Sequence, residues 1–435
     1  MIVRDALVDD GAMRRLSDVE AAFALMNIDL SGATQVVTQV SIEARFDNRR
    51  IRDACAQWVL GAPILRQRIE MRGTDLHLVA DAEEPGSAIN IVDLEGVPDL
   101  DQILENELND PLPEAGSLWR LTFLRCARAS STHLFFVRTH AISDGATTAY
   151  LVRSLIDNLV GATPPTSPAV DVRQASLNPD LYPLTRPPVP ARPTSSLTFS
   201  DSQPESIPLH TRPQVDTGRS EFVSWQISKV AASGFMNWSK WKGWTINELL
   251  ATALAEATAH ALNRESVGIY TAVSLRPWYE EQVRSAPGCT IGVVETAVHV
   301  NSGFEGALQS YRDGLATAMA HWSPPRREHP TIKSQVAGLL EQASSRGVCI
   351  TNTGRADSAL GRHKGLISRY RTVVNRRAAN YAVVLHVSSL DGQFDLTLSY
   401  GSPCIERSFV EEVQSGICAR LDAVSVEADS RSWRT

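Results

Sequence analysis

The sequence lacks the patterns that identify several common classes of enzyme. It contains no Walker loop, no G-x-G-x-x-G, no G-x-S-x-G and no H-E-x-x-H. The signatures of nucleotide-binding proteins, serine hydrolases and zinc metalloproteases are therefore missing. Its six cysteines are scattered without a C-x-x-C pair, which indicates reduced thiols and predicts that there is no metal site.

Positive charge and long apolar runs are also scarce. Lys and Arg number 42 against 49 Asp and Glu, a net charge of -7, so we expect no nucleic-acid partner, which would require clustered cations. No apolar stretch approaches the roughly 20 residues of a membrane-spanning helix. The N-terminal segment also has no signal-peptide core. These features predict a cytoplasmic protein without a membrane span.

The composition that remains is that of a folded enzyme, 43% hydrophobic and 21% charged. A chain of 435 residues is longer than a single hydrophobic core usually supports, so two domains are expected. Twelve of the 23 prolines lie between Pro164 and Pro213, which predicts an extended connection there. We therefore predict domains at residues 1–162 and 219–435, joined by a linker at 163–218.

Periodicity predicts helices and strands in both halves of the chain. In the first half, strands are predicted at 35–46, 118–126 and 134–139, and helices at 21–26, 49–60 and 99–108. In the second half, strands are predicted at 221–227, 267–273, 290–300, 348–354, 381–387 and 394–400, and helices at 249–262, 306–322, 333–345 and 408–421. This mixture predicts the α/β class.

The most informative stretch follows one of these strands. The apolar run Phe135–Val137 leads through Arg138 and Thr139 to His140, and Asp144 and Gly145 come just before a helix. Such a turn places one proton-transfer group at the edge of a sheet. Asp144 suits the N-cap of the helix, and Gly145 allows a tight turn or the close approach of a ligand. By itself, a single histidine at a strand end is more often structural than catalytic.

The string from His140 to Gly145 resembles the His-x-x-x-Asp-Gly signature of the CoA-dependent acyltransferase superfamily. That superfamily includes nonribosomal peptide condensation domains, chloramphenicol acetyltransferase and stand-alone polyketide-associated acyltransferases. Thr139 stands where condensation domains have the first of two histidines. His140 keeps the position of the second, to which that family assigns catalysis.

Three further segments resemble landmarks of the same superfamily, in the same order. Pro63–Arg66 is similar to its "hP-hLR" segment, Ser274–Pro277 to its "dLR" segment and Thr351–Gly354 to its "SNlG" strand. The layout is closest to the stand-alone polyketide-associated acyltransferases. The resemblance implies an α/β (α+β) fold of two chloramphenicol-acetyltransferase-like lobes, with an active-site tunnel between them.

The resemblance also implies roles for individual residues. His140 is expected to be the general base. Asp144 is expected to pair with Arg276 and hold the lobes together rather than orient His140, and Gly145 is also expected to be structural. The tunnel is expected to be lined by Thr139, Asn352 and Thr353.

The implied activity is transfer of an acyl group from a pantetheine thioester to a hydroxyl acceptor in secondary metabolism. The donor is acyl-CoA or an acyl-phosphopantetheine carrier protein, with no permanently bound cofactor, and the enzyme is expected to be a monomer. No cysteine or serine shows a paired base, so direct transfer is expected. Condensation domains carry an Asp-Phe-Gly-Trp-Gly segment that is missing between Gly354 and Gly401, which favours ester formation. An amide-forming enzyme, a cyclase and a non-catalytic carrier-recruiting protein remain alternatives.

A basic run extends from Arg362 to Arg377 and has two interpretations. The first is a solvated loop followed by an exposed strand face. The second is a docking surface for the phosphate of the donor or for an acidic carrier protein, with Arg369 and Arg371 among its contacts.

Overall fold

The structure, a computed structural model, describes residues 13–80, 88–114, 116–126, 130–164, 168–185, 205–324 and 326–432. Its strands form a five-stranded sheet, a six-stranded sheet and two small sheets. In chain order the strands are β1 Met13–Arg15, β2 Val36–Ile42, β3 Gln67–Arg72, β4 Asp75–Ala80, β5 Ile89–Leu94, β6 Trp119–Cys126, β7 Thr132–Arg138, β8 Ile207–Pro208, β9 Arg219–Ile227, β10 Ser266–Ser274, β11 Ile291–His299, β12 Ser344–Ser345, β13 Val348–Arg355, β14 Ile367–Val374, β15 Val384–Leu390 and β16 Gln393–Ser402.

The α-helices pack on these sheets. In chain order they are α1 Asp18–Asp29, α2 Asn48–Gly61, α3 Leu100–Asn109, α4 Gly145–Val160, α5 Lys229–Lys242, α6 Ile246–Ala261, α7 Glu281–Ser285, α8 Gly303–His321, α9 His329–Ala337, α10 Ala356–Leu360 and α11 Arg407–Ser432. Among the described residues, no helix combines the length and the apolar character needed to cross a membrane.

The five-stranded sheet, with the helices packed on it, forms the first lobe and carries the histidine motif. Its order is β14-β2-β7-β6-β5, and β7 is antiparallel to both of its neighbours. Successive side chains of β7 face opposite sides of the sheet. Phe135 and Val137 pack against α3, whereas Phe136 packs on the side of α2 and α4. Because both faces are covered, the central part of β7, Leu134–Val137, is a continuous apolar run in the sequence rather than an alternating one.

The six-stranded sheet forms the second lobe, in the order β11-β10-β13-β15-β16-β9. Helices α5, α6, α8 and α11 cover one of its faces and share a hydrophobic core with it. Leu385 and Val387 of β15 point into that core. His386, which lies between them, points to the opposite face, where the first lobe lies.

One strand from the second half of the chain belongs to the first lobe. β14 pairs antiparallel with β2, with Val374 opposite Val36. Helix α9 also packs against α1, and its Ile332 and Val336 join the first core. The predicted division at residue 219 therefore needs correction, because segment 219–435 supplies a strand and a helix to the first lobe.

The proline-rich segment 163–218 packs against both lobes at several of its described positions. Val170 and Val172 join the core of the first lobe. Leu177 and Tyr182 pack beside Tyr279, and β8 pairs with β12. Residues 165–167 and 186–204 of the predicted linker lie outside the described residues, as does the N-terminal stretch 1–12.

The predicted α/β class is confirmed, and the predicted elements differ from the observed ones mainly at their ends. The helix predicted over 333–345 begins earlier, at His329, because Pro330 suits the first turn of a helix. It gives way to a 3-10 turn at Gly338. The last helix continues beyond residue 421 to Ser432, and its Val424 still packs in the core of the second lobe.

Candidate active site

The motif after β7 folds as a tight turn from strand to helix. The chain makes one turn of 3-10 helix, His140–Ile142, and then enters α4. Asp144 is the N-cap of α4, and its Oδ1 accepts a hydrogen bond from the backbone N–H of Thr147 at 2.7 Å. The carboxylate thereby satisfies a free N–H group of the first helical turn. The turn holds His140 at the edge of the sheet.

A cavity of about 280 Å³ lies between the two lobes and contains the side chain of His140. Its walls come from the turn before α4 and from β10, β13, β14 and β15. Five of the residues predicted to lie at the site line this cavity, namely His140, Asp144, Gly145, Asn352 and Thr353.

Thr139 lies on another side of the turn and does not line this cavity. Its side chain is buried and accepts a hydrogen bond from the N–H of Ala141 at 3.4 Å. It lines a second cavity, of about 180 Å³, between α1 and the loop before β6. Because successive residues of an extended chain point to opposite sides, Thr139 faces away from the cavity that His140 faces.

The surroundings of His140 disfavour protonation of its imidazole ring. Phe23 of α1 stacks on the ring, with centroids 4.2 Å apart and planes inclined by 10°. Burial, with a smaller contribution from the positive charge of Arg138, lowers the pKa of His140 to about 4. Hydrogen bonds to the backbone and the negative charge of Asp144 offset only part of this shift. The ring is therefore neutral at physiological pH and able to accept a proton.

A cysteine lies beside this histidine, although no sequence pattern indicated it. Sγ of Cys289 is 3.6 Å from Nδ1 of His140, so the expectation that no cysteine lies next to a base was wrong. Burial raises the pKa of the Cys289 thiol well above its ordinary value, and the charges of Asp144 and Glu20 add to the shift. The thiol is therefore protonated, and a protonated thiol is a far weaker nucleophile than a thiolate.

Asp144 and Arg276 form a buried ion pair near the entrance to α4. Nε of Arg276 donates to Oδ2 of Asp144 at 2.8 Å. The guanidinium also donates to the carbonyl oxygens of Arg284, Ala286 and Gly288. Burial by itself would raise the pKa of Asp144, but the charge and hydrogen bond of Arg276 outweigh it and lower the pKa. The carboxylate is engaged by Arg276 and forms no hydrogen bond with His140.

Gly145 allows α4 to approach β13 on the other side of the cavity. A Cβ atom at Gly145 would stand 3.2 Å from Cγ2 of Thr353, closer than an ordinary contact. Thr353 is fixed by the hydrogen bond that its Oγ1 donates to the carbonyl oxygen of Val387 at 3.0 Å. The missing side chain at position 145 therefore sets the distance between these two walls.

Arg369 and Arg371, predicted to dock the donor or a carrier, are engaged within the protein. Arg371 is 1% exposed, forms an ion pair with Asp101 and donates to Oε1 of Gln39 at 2.6 Å. Arg369 pairs with Asp395 at 2.8 Å. Neither side chain is therefore free to dock a donor, and β14 is not an exposed strand face, whereas Arg362 and Lys364 of the preceding loop are exposed. β14 lies between the lobes, where acidic groups of α3 and β16 pair with its arginines.

Among the other polar residues that line the cavity, two matter for its chemistry. His386 lies with its Nε2 2.8 Å from Oγ of Ser399, and its Nδ1 has no hydrogen-bond partner among the described residues. Burial lowers the pKa of His386 to about 3, so this ring is neutral as well. The second residue is Arg138, at the end of β7. In the sequence, only weak signals indicate these two residues: a histidine within an apolar strand and an arginine that ends an apolar run.

The cavity therefore combines a neutral imidazole with hydrogen-bonding groups, an arrangement suited to removing a proton from a hydroxyl or an amine. Across the described ranges, no group of three or more His, Cys, Asp or Glu side chains is arranged to hold a metal ion.

Solved structures resemble this chain closely in fold, although no family model and no curated protein match its sequence. The condensation domain from the Monacolin K polyketide synthase MokA matches with a TM-score of 0.69 and 14% identity, covering 96% of this chain and 98% of that one. The first condensation domain of the calcium-dependent antibiotic synthetase matches with a TM-score of 0.69 and 12% identity, covering 97% and 98%.

An acetyltransferase has a similar fold as well. The TRI3 trichothecene 15-O-acetyltransferase from Fusarium sporotrichioides matches with a TM-score of 0.65 and 12% identity, covering 95% of each chain. Similarity over almost the whole length of three such structures shows that this chain has the two-lobe fold of condensation domains and acyltransferases. The fold that the motif implied is thereby confirmed.

Proposed function

We propose that this chain, which has the fold shared by condensation domains and acyltransferases, transfers an acyl group from a pantetheine thioester to a hydroxyl acceptor. The donor is acyl-CoA or an acyl-phosphopantetheine carrier protein, and the product is an ester. The observation that most supports this proposal is the position of His140, a neutral imidazole inside a cavity between two lobes.

The reaction requires one group that accepts a proton and returns it. As the hydroxyl oxygen of the acceptor forms a bond to the thioester carbonyl carbon, its proton passes to Nε2 of His140. The tetrahedral intermediate then expels the pantetheine sulfur, which takes the proton back from His140 and leaves as a thiol. General-base assistance of this kind is typically worth about 10²–10⁴ in rate.

Transfer is direct, without an acyl group on Cys289. That sulfur is close enough to His140 to suggest a nucleophile and base pair, but its surroundings oppose ionisation. Burial and two nearby carboxylates raise the pKa of the thiol, and the same burial lowers the pKa of His140. Proton transfer from Cys289 to His140 would therefore create two unfavourable charges in place of none.

A hydroxyl acceptor is favoured over an amine because the chain lacks the Asp-Phe-Gly-Trp-Gly segment of condensation domains between Gly354 and Gly401. An amide-forming enzyme or a cyclase would use the same base on a different nucleophile. A non-catalytic, carrier-recruiting protein would not need an imidazole in the cavity. Product analysis separates these alternatives.

The test is a transfer assay with purified protein, acyl-pantetheine, acyl-CoA and acyl-carrier thioesters, and matched hydroxyl and amine acceptors. We expect mass spectrometry to detect esters of the hydroxyl acceptors, and the intact protein to keep its mass after acid quenching. Cys289→Ala should retain turnover within a few-fold, because the thiol takes no part in the transfer. Amides as the only products, or an acyl group trapped on Cys289, would refute the proposal.

The acidic side of the pH profile reports on the base. With the pKa of His140 near 4, the imidazole is deprotonated throughout the neutral range, and the active fraction falls only as the pH drops through about 4. We therefore expect kcat/KM to be nearly constant on the acidic side from pH 7 to about pH 5.5. An exposed histidine, with a pKa of about 6.5, would already lose most of its activity there. A midpoint near 6.5, in protein shown by circular dichroism to be folded, would contradict the proposal.

A further inference from the structure

A buried arginine, Arg138, lines the same cavity as His140. It is 1% exposed, and its nitrogens donate to neutral oxygens only. Nε donates to Oγ of Ser143 at 2.7 Å, and Nη1 donates to Oγ1 of Thr38 at 3.0 Å and to the carbonyl oxygen of Phe136 at 3.3 Å. Nη2 donates to no residue that the structure describes.

No carboxylate in the described part of the chain forms an ion pair with Arg138. The acidic residue that shares its cavity, Asp144, is paired with Arg276. Burial lowers the pKa of Arg138 to about 10, which is still far above neutral pH, so the guanidinium keeps its charge.

The other residues of the cavity supply no compensating negative charge. His140 and His386 are neutral, as argued above. Burial raises the pKa of Tyr370, so this phenol is neutral too. Arg355 lies at the rim, with its side chain 77% exposed, and forms an ion pair with Asp357 at 3.7 Å. Apart from Asp144, which is held by Arg276, the described residues that line the cavity therefore offer Arg138 no counter-charge.

A buried cation without a counter-charge is costly, and proteins normally pair such groups. A ligand that brings a permanent negative charge into the cavity would pair with Arg138 and remove this free-energy cost. Guanidinium groups bind carboxylates particularly well, because their N–H groups match the two carboxylate oxygens. The phosphate of a pantetheine donor does not meet this need, since it lies at the opposite end of the arm from the thioester that His140 must reach.

We propose that the cavity accepts a substrate bearing a carboxylate, which Arg138 binds through Nη2. The carboxylate belongs to the acyl group or to the acceptor, and both present the same chemistry to the guanidinium. The proposal rests on the proposed function, because it takes this cavity as the place of transfer. A role for Arg138 in stabilising only the oxyanion of the transition state is less favoured, since it would leave the cation unpaired in the substrate complex.

The test compares probes that differ in charge but hardly in shape. The experiment has two arms. Succinyl-pantetheine and its terminal amide, succinamoyl-pantetheine, test the acyl group, whereas 3-hydroxybutyrate and 3-hydroxybutyramide test the acceptor. Binding is measured by calorimetry in a His140→Ala background, so that no turnover occurs. We expect the carboxylate of one arm to bind about 10- to 100-fold more tightly than its amide, as is typical for a charged hydrogen bond. The arm that shows this preference identifies the source.

Variants then assign the preference to one residue. Arg138→Met should abolish it, Arg138→Lys should keep part of it, and Arg49→Met, at an exposed position of α2 outside the cavity, should leave it unchanged. Equal binding of carboxylate and amide in both arms, or a preference that persists in Arg138→Met, would overturn the proposal. The comparison in protein that retains Arg138 needs no variant at that position, so it stands even if Arg138→Met fails to fold.

The outcomes also separate this proposal from the proposed function. A carboxylate preference that depends on Arg138, in a protein that transfers no acyl group, would refute acyl transfer and keep the binding site. Efficient transfer between neutral substrates without any charge preference would refute the carboxylate-binding site and keep acyl transfer.

Discussion

His140→Ala is expected to fold normally and to lose about 10²- to 10⁴-fold in kcat, the range typical of a missing general base. The ring lies at the cavity surface and stacks on Phe23, so its removal leaves the cores of both lobes intact. The measurement is steady-state turnover with donor and acceptor saturating, together with a thermal melt of the variant.

A histidine on the strand that precedes His140 provides the control. His133 of β7 does not line the cavity, and its Nδ1 lies 2.9 Å from Oγ of Ser41. His133→Ala should keep the wild-type rate. Added imidazole should restore part of the rate of His140→Ala, because it can enter the vacated space and accept the proton. Wild-type turnover in His140→Ala would exclude this residue as the base.

Asp144→Ala and Arg276→Ala are each expected to lower the free energy of unfolding by about 3–5 kcal/mol, because each leaves a buried charge without its partner. Arg276 would keep its carbonyl partners, and Asp144 would keep the N–H groups of Thr147 and Thr290. Both variants should also lose activity, since the pair anchors the turn that carries His140. Denaturant unfolding and the transfer assay measure the two effects.

The double variant distinguishes an ion pair from two independent losses. Removing both charges should cost less than the sum of the single changes, because neither charge is then left unpaired. The exposed pair Lys229–Asp391 is the matched control, and its cycle should show a coupling of about 0–1 kcal/mol. Additive costs for Asp144 and Arg276 would mean that their contact contributes nothing.

The local part of the site could be predicted from the sequence because it is encoded in consecutive residues. The end of an apolar strand, a histidine, and an N-cap aspartate followed by glycine specify a strand, a turn and a helix without reference to the rest of the chain. The segments around Arg276 and Thr353 could be located only through the resemblance to known acyltransferases, since their own residues carry no distinctive chemistry.

The burial of β14 and the partners of its arginines could not be predicted in the same way. Arg369 and Arg371 lie two residues apart on either side of Tyr370, a spacing typical of a strand with one face in water. Their actual partners, Asp101 on α3 and Asp395 on β16, come from distant parts of the chain. The local sequence pattern does not show whether an arginine side chain faces solvent or a carboxylate from a distant part of the chain.

The neighbours of His140 were missed for a related reason. Phe23 and Cys289 are ordinary core residues in composition, and only the packing of α1 and of the segment before β11 brings them against the imidazole. Arg138 did carry a signal, since an arginine that ends a strand covered on both faces must be buried. Its lack of a carboxylate partner, however, is a property of the three-dimensional structure alone.

The pairing of β14 with β2 constrains the order in which the protein can form during translation. Thr38 and Thr372, joined by a hydrogen bond of 2.8 Å, lie 334 residues apart in the chain. Until β14 leaves the ribosome, β2 is an unpaired edge, and all seven of its residues are buried in the final protein. Such an edge is a template for aggregation. The first lobe therefore cannot be completed as an independent unit during synthesis. A nascent chain that stops at the proline-rich segment should depend on chaperones far more than the finished protein does.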